Sequence, residues 1–285
     1  MKHIITITSL LAAGTLCANA AVETKTLAVY DFTGNSPLNI TEGAGSNLQV
    51  YNPSNVSGGG YSISDGDLTF SGATGFYSAD GANQAIFEDT TLTNWSLSFT
   101  ATLDSGATSY NVLQFGGKDR TSNAVPFAFY MGNGSGDRGA FGIHFGDNGS
   151  TNNVRFGATN ISSLNLSYDN VSTTYTISMN DDQLSLFVNG VDVTSYLTVV
   201  YSGSGVTLDE GETLSSYYQK TTHAGLSFTK FGYANEVGAL GGVASGTVFS
   251  NITISTTIPE PSAFGLLAGL GALALAGTRR RRRKA

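Results

Sequence analysis

The stretch Tyr175-Thr176-Ile177-Ser178-Met179-Asn180-Asp181-Asp182-Gln183-Leu184-Ser185-Leu186-Phe187-Val188-Asn189-Gly190 decides the fold class. Tyr175, Ile177 and Met179 alternate with Thr176 and Ser178. Leu184, Leu186 and Val188 alternate with Ser185 and Phe187. A period of two puts each set on one face of a strand, so both runs read as half-buried antiparallel strands. The polar quartet Asn180–Gln183 reads as the hairpin turn between them. Asn189-Gly190 starts the next turn, because Asn and Gly accept the positive φ that tight hairpins need.

The same alternation recurs outward from this hairpin. Ser96 to Leu103 places Leu97, Phe99, Ala101 and Leu103 on one face and Ser96, Ser98, Thr100 and Thr102 on the other. Further strands are expected at Leu27–Thr33, Leu68–Ser71, Tyr110–Phe115, Pro126–Met131, Ala140–Phe145, Ala224–Tyr233 and Val248–Ser255. Residues 21–257 show no convincing helical period, no fixed repeat and no Pro-rich linker. The expectation is one all-β domain built as a two-sheet antiparallel sandwich. Of the 285 residues, 40% are hydrophobic and 11% aromatic, enough to bury a core.

The two ends read as addresses. In residues 1–20, Lys2 and His3 precede an apolar run, and Ala18-Asn19-Ala20 has the small-residue pattern of a cleavage site. That is a secretory signal peptide for signal peptidase. The one cysteine, Cys17, falls inside it, so the mature chain has no disulfide and no multi-cysteine zinc site. Residues 258–285 hold Pro259, Glu260 and Pro261, an uncharged apolar stretch from Ala263 to Gly277, and six cations: Arg279, Arg280, Arg281, Arg282, Arg283 and Lys284. The apolar stretch is expected to be one C-terminal transmembrane helix, and the cations a membrane stop signal on the cytoplasmic side.

The overall charge of −7 hides this division. Between the two ends, residues 21–258 carry 20 acidic and 7 basic side chains, a net charge of −13. A body this acidic argues against nucleic acid and acidic lipid as partners, and no nucleic acid is expected.

The tail, with Pro259, Glu260 and Pro261 followed by an apolar helix and an arginine cluster, resembles the PEP-CTERM sorting signal. The resemblance implies that an exosortase, a membrane-embedded transpeptidase, recognises the motif and removes the helix. The protein would then pass from the membrane to the cell surface or beyond it. The body resembles the concanavalin A-like lectin/glucanase superfamily, in particular its laminin-G-like branch. The matching pieces are Trp95-Ser96-Leu97-Ser98-Phe99, Val112–Gly117, the hairpin Tyr175–Val191 and the closing strand Gly246–Ile254. This resemblance implies a jelly-roll sandwich.

Catalytic signals are absent from the sequence pattern. The paired carboxylates of the superfamily's glucanases, spaced E-x-D-x-x-E, do not occur. There is no H-E-x-x-H and no G-x-S-x-G. Asp209-Glu210-Gly211-Glu212 reads as a solvated loop. Calcium is the metal candidate, because such domains often bind it and it needs only oxygen ligands. Asp119, Asp137 and Asp147, in loops next to strands, are its candidate ligands. For sugar stacking, Tyr217 and Tyr218 are the candidates, ahead of Tyr130, Phe187 and Trp95. Three readings follow: a non-enzymatic surface or matrix protein that binds carbohydrate such as exopolysaccharide, a glycoside hydrolase or lyase with a non-standard site, and a structural coat protein.

Overall fold

The computed structural model describes residues 22–34, 39, 41–43, 48–51, 60–71, 75–78, 87–89, 94–103, 110–115, 127–131, 139–146, 151–181, 183–221, 226–228, 231–233 and 247–259. The chain divides into two compact units, Thr26–Thr256 and Met1–Lys25 with Thr257–Ala285. The expected signal peptide at 1–20, the apolar stretch 263–277 expected as a transmembrane helix and the six C-terminal cations lie outside the described residues. Among the described residues no helix is long and apolar enough to cross a membrane.

The strands in chain order are β1 (Val22–Tyr30), β2 (Glu42–Gly43), β3 (Leu48–Tyr51), β4 (Gly60–Ser64), β5 (Asp67–Ser71), β6 (Gly75–Ser78), β7 (Phe87–Asp89), β8 (Trp95–Thr102), β9 (Tyr110–Phe115) and β10 (Phe127–Met131). They continue with β11 (Phe141–Phe145), β12 (Val154–Ala158), β13 (Ser172–Asn180), β14 (Gln183–Val188), β15 (Val191–Asp192), β16 (Leu197–Ser202), β17 (Leu226–Phe228), β18 (Phe231–Tyr233) and β19 (Val248–Pro259). A nine-stranded sheet has the order β15-β14-β13-β8-β19-β1-β2, with β5 and β4 joined at β19. An eight-stranded sheet has the order β16-β12-β11-β10-β9-β18-β6-β3. The pairs β14–β13, β13–β8 and β8–β19 of the first and β12–β11 and β11–β10 of the second are antiparallel.

The deciding hairpin forms as read, with a tighter turn. β13 and β14 pair out to Asn180 and Gln183, so two residues turn the chain instead of four. Asp181 takes φ 50° there. Asn189 and Gly190 follow at φ 49° and 77°, both positive as a type I′ turn requires. The expected strand Ala224–Tyr233 is two short strands, β17 and β18. Strand β1 stops earlier than expected: Asp31 accepts hydrogen bonds from the Thr33 amide and hydroxyl, and Phe32 turns to φ 56°.

The two sheets pack face to face over one core. Phe99 on β8 meets Phe129 on β10 edge to face at 5.3 Å and stacks on Tyr175 of β13 at 5.2 Å. Phe129 lies 4.9 Å from Tyr175, and Phe141 on β11 closes the group at 6.3 Å from Tyr175. Burying a large aromatic contributes about 1.5–3 kcal/mol, and favourable ring geometry adds about 0.5–1.5 kcal/mol.

Sequence periodicity alone misses one helix, α1 (Leu214–Thr221). Thr213 caps it: its Oγ1 accepts from the Ser216 amide, while Ser216 Oγ accepts from the Thr213 amide. The helix lies on β14, where Ser215 Oγ accepts from the Leu184 amide at 2.8 Å and donates to its carbonyl. Thr194 Oγ1 takes the Leu186 amide at 2.9 Å in the same way. These clips occupy backbone groups of β14 that its partner strand, pairing only at Phe187 and Val188, leaves over.

Replacing Phe129 by Ala opens a cavity between the sheets. It is expected to lower stability by about 3–5 kcal/mol in denaturant titration. A loss below about 1 kcal/mol would show that the sheets do not depend on this contact.

Candidate functional site

Strand β12 leads into a polar segment that closes a groove. Its described lining is Gly139, Ala140, Ala158, Thr159, Asn160, Ile161, Ser162, Asn165, Leu166 and Tyr168, around about 460 Å³. A single 3-10 turn (Ile161–Leu164) forms the wall, and Asn160 and Asn165 flank it at φ 58° and 49°. Asn tolerates that left-handed backbone better than most residues. Both asparagines are exposed, whereas Ile161, Leu164 and Leu166 pack against the core.

The core fixes this wall. Tyr168 sets its ring edge to face against Phe141 at 5.1 Å. The Tyr175 hydroxyl donates to the Tyr168 carbonyl at 3.2 Å, and Thr173 Oγ1 donates to the Ser167 carbonyl at 3.2 Å. The Asn170 amide donates to the Leu103 carbonyl at 2.8 Å. Burial, followed by the neighbouring Asp169, pushes the Tyr168 phenol above its ordinary pKa, so it stays a neutral donor. Hydroxyls, amides, aliphatic groups and one half-buried ring suit a ligand rich in neutral hydroxyls. The described lining has no carboxylate, imidazole or thiol.

A second polar constellation lies on the outer face of the eight-stranded sheet. Tyr130, His144 and Arg155 point away from the core, yet all are buried, at 2%, 1% and 8% exposure. His144 and Arg155 are register partners on β11 and β12. The Arg155 guanidinium sits 5.3 Å over the Tyr201 ring. Gly142 belongs to the same face, and a β-carbon there would collide with the Phe156 carbonyl oxygen. Burial, and then the charge of Arg155, push His144 down to about 3, so its imidazole is neutral.

Tyr217 and Tyr218 are not sugar platforms. On α1 they form an i, i+3, i+4 stripe with Leu214 that faces the core, at 5% and 2% exposure. Tyr217 packs edge to face on Phe145 at 5.1 Å and lies 5.8 Å from Phe156. Trp95 is also core, at 2% exposure. The acidic run before α1 is paired internally: Lys220 binds both Asp209 and Glu212. Burial pushes the Glu212 carboxyl up, but hydrogen bonds from Lys220, Ser216 and the Asp209 amide outweigh it, leaving it below its ordinary value. Asp119, Asp137 and Asp147 lie outside the described residues. Among the described residues no three His, Cys, Asp or Glu side chains converge as a metal site. The helix that buries the tyrosines had a signal in Leu214, Tyr217 and Tyr218 and in the Thr213–Ser216 cap.

Residues 257–283 match the PEP-CTERM protein-sorting motif, covering Pro259, Glu260, Pro261 and the cations as far as Arg283. The chain carries a PEP-CTERM sorting signal. That signal implies export, sorting at the membrane and processing by an exosortase. Pro259 is also the last residue of β19, so the motif begins at the end of a strand. No curated protein matches the chain in sequence.

Similar solved structures include domain 4 of AbnA, an extracellular GH43 arabinanase from Geobacillus stearothermophilus in complex with arabinotriose. It is 14% identical with a TM-score of 0.49, over 84% of this chain and 96% of that one. The binding domain of botulinum neurotoxin DC, in complex with rat synaptotagmin II, is 12% identical with a TM-score of 0.46, over 80% of this chain and 47% of that one. Trypanosoma rangeli sialidase in complex with sialic acid is 13% identical with a TM-score of 0.41, over 80% of this chain and 30% of that one.

The buried neutral His144 makes stability depend on pH. Its pKa falls from 6.5 in the unfolded chain to about 3 in the folded one. The unfolded chain therefore binds the proton first, and stability present above pH 6.5 is lost as the pH falls toward 3. Between about pH 7.5 and about pH 5 this group is expected to account for about 2 kcal/mol. Urea titrations of the wild type and of His144→Gln should differ in pH slope by that amount. Equal slopes would show that His144 is solvated.

Proposed function

We propose that the protein is an exported, exosortase-sorted surface or matrix protein whose body binds carbohydrate without catalysis. In this reading signal peptidase removes residues 1–20. The apolar segment 263–277 holds the chain in the membrane until the exosortase cuts near Pro259-Glu260-Pro261. Residues 21–257 form a concanavalin A-like jelly-roll sandwich at the surface. The sorting signal at 257–283 supports the export half of the proposal.

The binding half rests on the groove between Gly139 and Tyr168. Its polar groups form hydrogen bonds without ionising, and Tyr168 offers part of a ring for a sugar face. Glycoside hydrolysis by two carboxylates would need an acid and a base or nucleophile facing each other across the bond. The described lining supplies neither. Calcium at Asp119, Asp137 and Asp147 belongs to the same proposal as a support for neighbouring loops. An acidic body of net charge −13 favours neutral glycans over anionic ones.

Two measurements test this. Mass spectrometry of the protein from its own cells should show a chain that ends before the arginine cluster. An intact Arg279–Lys284 end would refute exosortase cleavage. On an oligosaccharide array the purified protein should bind neutral glycans without releasing products. The double variant Asn160→Gly and Asn165→Gly keeps the positive-φ turns but removes both amides. It is expected to weaken that binding about tenfold. Unchanged binding would remove the groove from the account.

A further inference from the structure

Strand register assembles a second surface, away from the groove, on the outer face of the nine-stranded sheet. Ser255, Ser96, Ser178 and Ser185 stand side by side across β19, β8, β13 and β14. In the next row stand Thr253, Ser98, Thr176 and Phe187. A third row holds Asn251, Thr100 and Thr174. All are half-buried and uncharged; the second row ends at Asp192 of β15, the exposed register partner of Phe187. Neighbouring strands lie about 4.8 Å apart, so hydroxyls repeat across the face at roughly the width of a sugar ring.

The hydroxyls hold each other in place. Ser96 Oγ and Ser255 Oγ are 2.8 Å apart, Thr100 and Thr174 Oγ1 are 2.9 Å apart, and Thr176 Oγ1 donates to Ser98 Oγ at 3.0 Å. A hydroxyl offers one donor and two acceptor sites, so these single bonds set the rotamers and leave bonding capacity outward. Phe187 is the one large apolar side chain in the array. It is half-buried and stands outside the core cluster.

We propose that this face is a platform for an uncharged polysaccharide chain, with Phe187 as the ring on which one sugar stacks and Thr176 and Ser98 as its hydrogen-bonding neighbours. An anionic polymer finds no counter-charge on these rows, and Asp192 beside Phe187 repels it. A peptide strand cannot add to β8 or β13, because both lie inside the sheet with their backbone groups used in the ladders. A stable protein interface needs a wider apolar centre than one phenylalanine. Many weak hydrogen bonds and one stacking ring match a neutral polyhydroxyl polymer, whose repeats bind by avidity. The platform is separate from the groove, so each stands or falls on its own variants.

The test is retention of the purified full chain on amorphous cellulose, an uncharged glucan, with alginate as the anionic control. The wild type should be retained on cellulose and not on alginate. Phe187→Ala should weaken retention at least about tenfold, Phe187→Trp should restore it, and Thr176→Lys, which raises a charged chain from the flat row, should abolish it. Phe187→Ala should weaken retention by the same factor in the Asn160→Gly, Asn165→Gly background, which separates the platform from the groove. Thermal melting identifies which variants fold, and Thr176→Lys decides the matter if Phe187→Ala does not. No retention on cellulose, equal retention of folded Phe187→Ala or Thr176→Lys, or preference for alginate would overturn the proposal. So would a dimer that Phe187→Ala turns into a monomer, since the face would then be a contact between copies.

Discussion

Phe99 of one sheet and Phe129 of the other touch edge to face, and Tyr175 lies against both. This three-ring contact joins two layers that, among the described residues, share no backbone ladder with each other. Its consequences reach outward through Tyr175. The ring is core, but its hydroxyl holds the Tyr168 carbonyl, and Tyr168 in turn packs on Phe141. The wall of the groove therefore hangs from the same residue that helps join the sheets. A short polar segment with two left-handed asparagines keeps one shape because the core beneath it has one shape.

The inward and outward faces of the nine-stranded sheet are two products of one alternation. Leu97, Phe99 and Ala101 face the core while Ser96, Ser98 and Thr100 face out. The inner set must vary in size to interlock with the opposite sheet. The outer set is free of that demand, and it is small, neutral and hydroxylated over three strands, with Phe187 the exception on a fourth. Asp192, opposite Phe187 on β15, is the acid at its edge. In a chain sorted to the outside by a PEP-CTERM signal, both the neutral rows and the neutral groove suit ligands without charge.

Much of the fold was legible from the alternation in Ser96–Leu103 and Tyr175–Val188, because a period of two has one physical reading. The turn at Asn189-Gly190 was legible for the same reason. Helix α1 was legible only weakly, since eight residues give little periodicity, and the stripe Leu214, Tyr217, Tyr218 is core only because the helix packs on β14. The groove was hidden as well: its walls come from residues near 139 and from 158–168, and only the pairing of β11 with β12 brings them together. The hydroxyl rows needed register, which no single strand contains. The sorting motif was legible, because its order of Pro259-Glu260-Pro261, apolar stretch and cations is itself sequence.

That the core holds the groove through Tyr175 is tested most directly by amide hydrogen exchange in Tyr175→Phe, which keeps the ring and removes only the hydroxyl. Losing one hydrogen bond of about 1 kcal/mol should speed exchange across residues 159–171 about fivefold. Exchange in β8 and β14 should stay as in the wild type. Unchanged exchange in 159–171, or equal acceleration throughout the sheet, would contradict it.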